Sequence, residues 1–422
     1  MYSFRAAFVL LAGLLDPAAP SRAEAQDVRQ APQRAQLKVF LDCQSCFSEF
    51  LRAEITFVDY VRDRTEADVH LMIREAQTGS GGREYTLELT GQGKLENVVY
   101  NLKTVTTNSD TDDVIRRQLA ASVRVGLLRV LTHESVPPEL QVTVRLGTEE
   151  QRPAVAGDRW NNWVFSVRGS ASFEGEESSK QRQLGASVSA DRITPEWKVS
   201  FGVEIDHERE EFDLDEETPV IADSRERDFS SLLVKGLGEH WSVGAMGEIE
   251  SSTFENVKLS VVAAPAIEYN VFPYSQHTRR QLRALYAVGV GRFRYFEETL
   301  YGKTEETLPL HELSLTLEQR ERWGSLQSSV QWSQYLHDLS KSRLELEGEV
   351  SIRVARGLSV TGEINASRIR DQLFLPLRGA TEEEVLLRLR RLQSGYEYGV
   401  GLSLTYTFGS IFSSVVNPRF GR

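Results

Sequence analysis

Residues 396–408, which read YEYGVGLSLTYTF, carry an apolar or aromatic side chain at every second position. The intervening positions are glutamate, glycine, serine and threonine. Successive side chains of a β-strand point to opposite faces of the sheet. A period of two therefore predicts a strand with one apolar face and one polar face.

The same alternation recurs along the chain before this stretch. Over residues 163–409 it predicts an all-β antiparallel transmembrane barrel of about twelve strands, an even number typical of outer-membrane barrels. The predicted strands start near residues 163, 183, 196, 227, 240, 257, 280, 308, 324, 342, 357 and 395. The mean hydropathy of −0.34 and the absence of a run of about 18 apolar residues exclude membrane-spanning helices. Neither criterion detects barrel strands, because apolar and polar residues alternate along them.

The connections between the predicted strands alternate in length. The short connections lie at residues 194–195, 238–239, 321–322 and 356–357, with a longer one at 272–278. The other connections include long acidic stretches at 208–225, 297–306 and 374–393, the last with a predicted helix at 381–392. Because barrels have short periplasmic turns and longer outer loops, the short side is predicted to be periplasmic.

Four tryptophans begin predicted strands beside the short turns. They are Trp163, Trp197, Trp241 and Trp323. This placement predicts an aromatic girdle at the membrane interface. The alternative is ordinary cross-strand aromatic packing.

The polar face of the predicted strands is strongly charged. The inward-pointing residues are predicted to be Arg168, Glu204, Glu248, Arg343, Glu345, Glu347, Glu349, Arg353 and Glu363. One interpretation is a self-neutralising charge network that fills a narrow lumen. The other is a polar conduit with a charge preference, because a barrel of about twelve strands is intermediate between filled eight-stranded barrels and open porins.

The N-terminus predicts export. Arg5, the apolar run 6–15 and the Ala-Glu-Ala sequence at 23–25 are typical of a secretory signal peptide over residues 1–25. Residues 26–36 are polar and are predicted to form a flexible leader.

Residues 37–147 predict a separate periplasmic α/β domain of the α+β class. Strands are predicted at 37–42, 67–75, 83–89, 98–106 and 140–146, and helices at 47–55 and from residues 110–113 to about residue 131. Residues 148–162 predict a linker, and residues 410–422 a C-terminal tail.

The two cysteines of the chain, Cys43 and Cys46, form a C-x-x-C motif at a strand-to-helix junction. In an exported protein this spacing favours a local disulfide. A redox-active dithiol is an alternative, since a helix N-terminus lowers the pKa of a thiol. Metal binding would need two more ligands, for which His70 and His133 are candidates in principle.

Several function classes are disfavoured by composition and motifs. A net charge of −12 argues against nucleic-acid binding. The chain contains no G-x-S-x-G, Walker or G-x-G-x-x-G sequence, and Ser329, Ser333 and His337 are the weak basis for a barrel-embedded hydrolase. We therefore predict a protein that is not an enzyme and uses no cofactor or catalytic metal.

Residues 268–275, EYNVFPYS, are followed by Arg279-Arg280 and by a strand that ends near Tyr295. This pattern resembles the salt-induced outer membrane protein family, in which a strand ends in a similar Phe-Pro-Tyr-Ser turn. The resemblance covers about a hundred residues closely and the predicted barrel loosely, and the N-terminal domain lies outside it. It implies an outer-membrane β-barrel of undefined function.

These features predict an outer-membrane protein with a periplasmic domain. The first hypothesis is a channel or envelope transport component for small polar solutes. The alternative is a non-conducting structural or interaction barrel whose periplasmic domain binds a protein or the cell wall. The predicted partners are outer-membrane lipid and the barrel-assembly machinery, because the last strand (398–408) alternates aromatic and apolar residues and ends on Phe408, although the tail that follows departs from the usual terminus.

Overall fold

A computed structural model describes residues 36–43, 46–79, 81–133, 158–212, 220–378 and 393–410. Several predicted segments lie outside these ranges. They are the signal peptide, nearly all of the leader, the strand at 140–146, most of the linker, the helix at 381–392 and most of the C-terminal tail. In the described part of the chain, no helix combines the length and the apolar character needed to cross a membrane.

The N-terminal region is α+β, as predicted. Its strands are β1 (Lys38–Asp42), β2 (Asp59–Val61), β3 (Val69–Gln77), β4 (Arg83–Gly91) and β5 (Val99–Val105). Its helices are α1 (Ser48–Glu54) and α2 (Asp112–Leu131). The hydroxyl of Thr111 caps α2 by accepting a hydrogen bond from the backbone N–H of Val114 at 3.4 Å.

One mixed sheet carries this region, in the order β2-β1-β3-β4-β5. β1 runs parallel to β2 and β3, and the remaining pairs are antiparallel. Helical spacing places Leu119, Val123 and Leu127 on one side of α2, where they are fully buried. Gly126 allows close contact with β4, since a Cβ there would lie 2.8 Å from a Leu89 methyl carbon. The region therefore has its own core.

The rest of the described chain forms one antiparallel sheet of twelve strands. The strands are β6 (Trp163–Gly175), β7 (Ser179–Ile193), β8 (Trp197–Phe212), β9 (Val220–Gly236), β10 (Trp241–Ser252), β11 (Val257–Asn270), β12 (Arg280–Tyr295), β13 (Glu305–Glu321), β14 (Gly324–Tyr335), β15 (Ser342–Ala355), β16 (Leu358–Ile369) and β17 (Tyr396–Tyr406). Each strand pairs with its neighbours in the sequence, so the twelve-stranded antiparallel prediction is confirmed.

β6 and β17 are the edges of this sheet. Among the residues that the structure describes, no pairing joins these two strands, and the sheet is open between them. Both edge strands are long, with 13 and 11 residues, and both are extensively exposed.

The largest difference from the sequence-based strand positions concerns β8 and β9. The predicted acidic loop at 208–225 is mostly strand, because β8 continues to Phe212 and β9 begins at Val220. The charged side chains suggested a loop, but residues 208–212 and 220–224 pair as a continuation of β8 and β9. Only residues 213–219 separate β8 from β9 in the sequence.

The sheet has two chemically different faces. Along β12, Val288 and Val290 point to one face and are 40% and 49% exposed, whereas Ala287 points to the other face and is 2% exposed. Strand register links Val290 to the same face as Phe165 and Phe201. We call this the apolar face, and we call the opposite one, which carries Arg168, Glu204 and Glu349, the polar face.

The connections define two ends of the sheet. The near end carries residues 194–196, 237–240, 271–279, 322–323 and 356–357. The far end carries residues 176–178, 253–256, 296–304, 336–341, 370–378 and 393–395. The longest connection lies at the far end, as expected, although 176–178 and 253–256 are as short as near-end turns.

Candidate functional site

All nine charged residues predicted for a lumen share the polar face. Arg168 lies opposite Ser187, and Ser187 lies opposite Glu204. At the other side of the sheet, Glu349 lies opposite Glu363. The remaining members are Glu248 on β10 and Arg343, Glu345, Glu347 and Arg353 on β15. Six of the nine are glutamates, so this set is predominantly anionic.

The polar face also brings together acidic residues that the sequence analysis did not single out. Asp228 lies between Glu204 and Glu250, and Asp206 lies opposite Glu226. Like charges placed directly opposite each other are unfavourable, so these rows favour water or cations between the carboxylates. Period-two counting along β8 and β10 would have found Asp206 and Glu250. Glu226 was not identified as a polar-face residue because β9 was predicted to start at residue 227.

Ion pairing neutralises this face in part. Arg343 pairs with Glu345 at 3.2 Å and with Asp371 at 2.9 Å. In the described ranges, Glu347, Glu349 and Glu363 are not in any ion pair. Unpaired carboxylates at a polar surface remain hydrated, which is typical of a wet face more than of a closed charge network.

The tryptophans lie at the near end. Trp163 stacks on Phe165 and on Phe201 of the apolar face, at centroid separations of 6.0 and 6.3 Å. Trp197 lies under the ammonium group of Lys235 at 5.3 Å. Trp241 and Trp323 also occupy this end, beside the short turns. The stacking shows cross-strand packing, and the girdle at a membrane interface stays a prediction.

The α+β region contacts the near end of the sheet through Arg353. The guanidinium of Arg353 donates to both carboxylate oxygens of Asp42, at 2.6 and 2.8 Å. His70, which is 1% exposed, holds Asp42 from the other side at 2.9 Å. The ring of Phe40 lies beneath Arg353, 5.2 Å from the guanidinium carbon. Arg353 is thus paired outside the charged face, with the N-terminal region.

Three further contacts fix the position of the α+β region against the sheet. The backbone N–H of Gly357 donates to the Asp63 carboxylate at 2.6 Å, and Arg356 pairs with Glu66 at 2.8 Å. Gly79 packs against the end of β7, since a Cβ on Gly79 would lie 2.5 Å from the Cβ of Ile193. We call the α+β region in this position the near-end cap, because it reaches from the β7–β8 turn to the β15–β16 turn.

The carboxylates at these contacts have perturbed acidities. Burial alone would raise the pKa of Asp42, but hydrogen bonds from His70 and Arg353 outweigh it and hold that pKa below its usual value. Burial acts likewise on Asp63, and hydrogen bonds from Thr65 and Gly357 hold its pKa below the usual value. The ionised carboxylates therefore stabilise the contact.

Acid should release the near-end cap. His70 and Thr65 lower these pKa values within the α+β region, and Arg353 and Gly357 lower them further through the contact. The part due to the contact stabilises it above the free pKa of 3.8, and this stabilisation is lost as the pH falls through the lowered pKa. We expect the contact to be intact at pH 6 and lost progressively below about pH 4. Hydrogen exchange at the backbone N–H of Gly357, corrected for its intrinsic pH dependence, measures this. Full protection at pH 2 would contradict the role of the carboxylates.

A cleft of about 690 Å³ lies between the near-end cap and the sheet. Its lining includes Asp42, Cys43, Cys46, Arg320 and Arg353. The two cysteine sulfur atoms are within bonding distance, and their Cα atoms are 5.9 Å apart, which is typical of disulfides. The motif thus belongs to the cleft wall.

The disulfide interpretation predicts a simple labelling result. Native protein should take up no thiol-alkylating reagent at Cys43 or Cys46, and both should react after reduction with dithiothreitol. Peptide mass analysis resolves the two states. Labelling of the native, unreduced protein would favour the dithiol alternative.

The alternative sites are not assembled. His70 is bonded to Asp42, and His133 to the Tyr100 hydroxyl at 3.1 Å. The part of the chain that the structure describes holds no group of three or more metal-ligating side chains. The ring of His337, the candidate base of a hydrolase, contacts Tyr335. Within the described ranges, no hydrogen bond joins His337 to a serine.

The far end carries a crossing segment, residues 370–377, which we call the far-end segment. The backbone N–H of Arg370 donates to the carbonyl of Ser342 at 2.9 Å. The side chain of Asn256, from the β10–β11 turn, donates to the carbonyl of Phe374 at 2.9 Å. The segment therefore links the end of β16 to a turn five strands away.

Comparison with known proteins adds no assignment. A scan against protein-family models finds no match, and no curated protein matches the chain. The resemblance to the salt-induced outer membrane protein family accordingly stays a prediction.

Proposed function

We propose that this chain is an outer-membrane β-barrel whose polar lumen passes small polar solutes and whose periplasmic opening is covered by the near-end cap. The observation that carries the proposal is the two-faced sheet. An exposed apolar face of this extent has no covering element in the described chain, and such a surface is typical of contact with lipid.

The open edges favour closure of the sheet. Long exposed edge strands such as β6 and β17 would otherwise template aggregation, and barrels abolish edges altogether. With twelve strands, β6 and β17 run antiparallel, so pairing between them would continue the existing pattern. Strongly twisted open sheets rarely exceed about ten strands, which supports the same conclusion.

The apolar face has the height of a membrane. On β8 the outward side chains from Trp197 to His207 enclose Val199, Phe201, Val203 and Ile205. Ten residue steps of about 3.3 Å make about 33 Å along the strand, or about 23 Å at a tilt near 45°. This agrees with the apolar band of about 25 Å that surrounds outer-membrane barrels.

The polar face supports a cation-preferring conduit. Its glutamates outnumber its arginines among the nine residues, and several carboxylates are unpaired within the described ranges. A water-filled lumen lined by one sign of charge raises the local concentration of counter-ions. We place the near-end cap in the periplasm, since the short turns lie at that end, and we assign the chain no catalytic activity and no cofactor.

A second candidate function is a non-conducting interaction barrel. It is favoured by the chain segments at both ends, because the near-end cap contacts one end and the far-end segment crosses the other. In that case the cap would present a binding surface to a periplasmic protein or to the cell wall. Assembly into the membrane by the barrel-assembly machinery, with β17 as the terminal strand, is part of both candidates.

Planar-bilayer recording of the purified full chain separates the candidates. We expect discrete openings with a preference for cations over anions. Glu349→Gln combined with Glu363→Gln should reduce that preference, since both carboxylates lie on the polar face. Glu305→Gln, which removes one carboxylate from the apolar face, is the control and should leave selectivity unchanged. Absence of openings, including in variants that release the cap, would favour the interaction barrel.

A further inference from the structure

Arginines occupy the far-end margin of the apolar face. Along β12, outward valines at 288 and 290 are followed by Arg292 and Arg294. Along β7, outward Leu184 is followed by Arg182. The group, which we call the arginine belt, consists of Arg182, Arg209, Arg225, Arg227, Arg292 and Arg294.

Strand register brings the belt together across neighbouring strands. Arg182 of β7 lies directly opposite Arg209 of β8, an unfavourable arrangement of like charges, and Asp223 of β9 lies opposite Arg209 on its other side. Arg225 lies opposite His207 on the next pair of strands. The belt thus continues over β7, β8 and β9.

Three acidic side chains lie on the same face beside the six arginines of the belt: Glu211, Asp223 and Glu305. Glu305 is shared by Arg292 and Arg294, at 3.6 and 3.4 Å. Asp223 is shared by Arg225 and His207, at 2.8 and 3.0 Å. Glu305 and Asp223 therefore each serve two basic side chains. The side chains of Arg225, Arg292 and Arg294 remain about half exposed, at 58%, 58% and 48%.

The position of the belt contrasts with the rest of the protein. The whole chain has a net charge of −12, and the polar face of the same strands carries Asp206, Glu226 and Asp228. Positive charge is thus concentrated on the apolar face, toward the far ends of the strands. A ligand that fits has an anionic head and apolar chains that lie along the apolar face.

We propose that the arginine belt binds the phosphate groups of lipid headgroups in the outer leaflet of the membrane. This rests on the proposed membrane barrel, since the belt meets headgroups only if the apolar face lies in lipid. Guanidinium groups form paired, charge-assisted hydrogen bonds with phosphate oxygens, and the belt offers several such groups side by side. Its end of the sheet is the one opposite the near-end cap, so the leaflet is the outer one.

The test uses the full chain reconstituted in phosphatidylcholine nanodiscs with increasing lipid A, a phosphorylated glycolipid. The readout is the temperature at which the folded, fast-migrating gel band disappears. A ligand that binds the folded state raises this temperature. We expect lipid A to raise it, and enzymatically dephosphorylated lipid A to raise it far less.

Variants assign the effect to the belt. Arg182→Gln with Arg209→Gln, and separately Arg292→Gln with Arg294→Gln, should each weaken the apparent affinity for lipid A about tenfold. Arg117→Gln with Arg129→Gln removes the same charge from α2 and should leave the affinity unchanged. Arg182→Lys with Arg209→Lys should retain part of the effect, since charge remains without the paired hydrogen bonds.

Five results would overturn the inference. Equal stabilisation by dephosphorylated lipid A would show that the belt does not bind the phosphate groups. Equal affinity for lipid A in the belt variants and the α2 variants would show the same. Equal stabilisation by phosphatidylglycerol at matched phosphate would remove the assignment to an outer-leaflet glycolipid. Absence of a folded band in phosphatidylcholine alone would overturn the membrane barrel as well, whereas a folded band without lipid A response would overturn the belt alone.

Discussion

Replacing Val188 with arginine will destabilise the folded protein in lipid by about 2–4 kcal/mol, the cost of an arginine at the midplane of a barrel's lipid face. Val188 is 47% exposed on the apolar face, halfway along β7. In a water-soluble sheet the same exposed position would tolerate arginine within about 0.5 kcal/mol. Denaturant unfolding in phosphatidylcholine vesicles, followed by gel mobility, measures the difference.

The adjacent residue supplies the control. Ser189 lies at the same depth on the polar face, opposite Ser166 and Gly202. Ser189→Arg would point toward the proposed lumen, where water and carboxylates accommodate the charge, and we expect a far smaller loss of stability. Equal losses in the two variants would contradict the assignment of one face to lipid and the other to water.

If the proposed conduit exists, removing the Arg353–Asp42 contact will open it. The side chain of Arg353 is 36% exposed and that of Asp42 17%, so partial solvation limits the pair. Allowing for this, loss of the paired hydrogen bonds should weaken the near-end cap by about 1–2 kcal/mol. A change of 1.4 kcal/mol shifts a two-state equilibrium about tenfold, and we expect the open fraction in planar bilayers to rise about tenfold in Arg353→Gln.

The chain offers a matched control for this effect. Arg320 lines the same cleft and makes no ion pair within the described residues, so Arg320→Gln removes one mouth charge and leaves the cap contact intact. Asp42→Asn should open the conduit as Arg353→Gln does, and the double variant should add little, because the two residues share one contact. Unchanged opening in both single variants would show that the cap is held elsewhere.

The sequence predicts the twelve-stranded sheet well because the physical signal is local. An apolar side chain on one face and a polar one on the other recur every two residues, and β6, β11, β12, β14 and β15 start at the predicted positions. The same parity places all nine predicted charged residues on one face. Where charge replaced apolar residues on the outward face, as in residues 208–212, the signal failed and strand was mistaken for loop.

The contact between the near-end cap and the sheet could not be predicted from the sequence. Arg353 and Asp42 are 311 positions apart, and nothing in the periodicity of either segment indicates that they meet. Arg353 was predicted to share the polar face with the other charged residues, and strand parity on β15 places it there. Its partner is supplied by the α+β region. The three-residue strand β2 was also missed, because it is too short to show a period.

Heat-modifiable gel mobility of the protein extracted from outer membranes tests the membrane barrel most directly. Closed barrels resist detergent until they are heated, so the unboiled protein should migrate faster than the boiled protein and should be found in the membrane fraction. A protein recovered in the soluble fraction, with identical mobility before and after boiling, would contradict the membrane barrel and with it the proposed conduit.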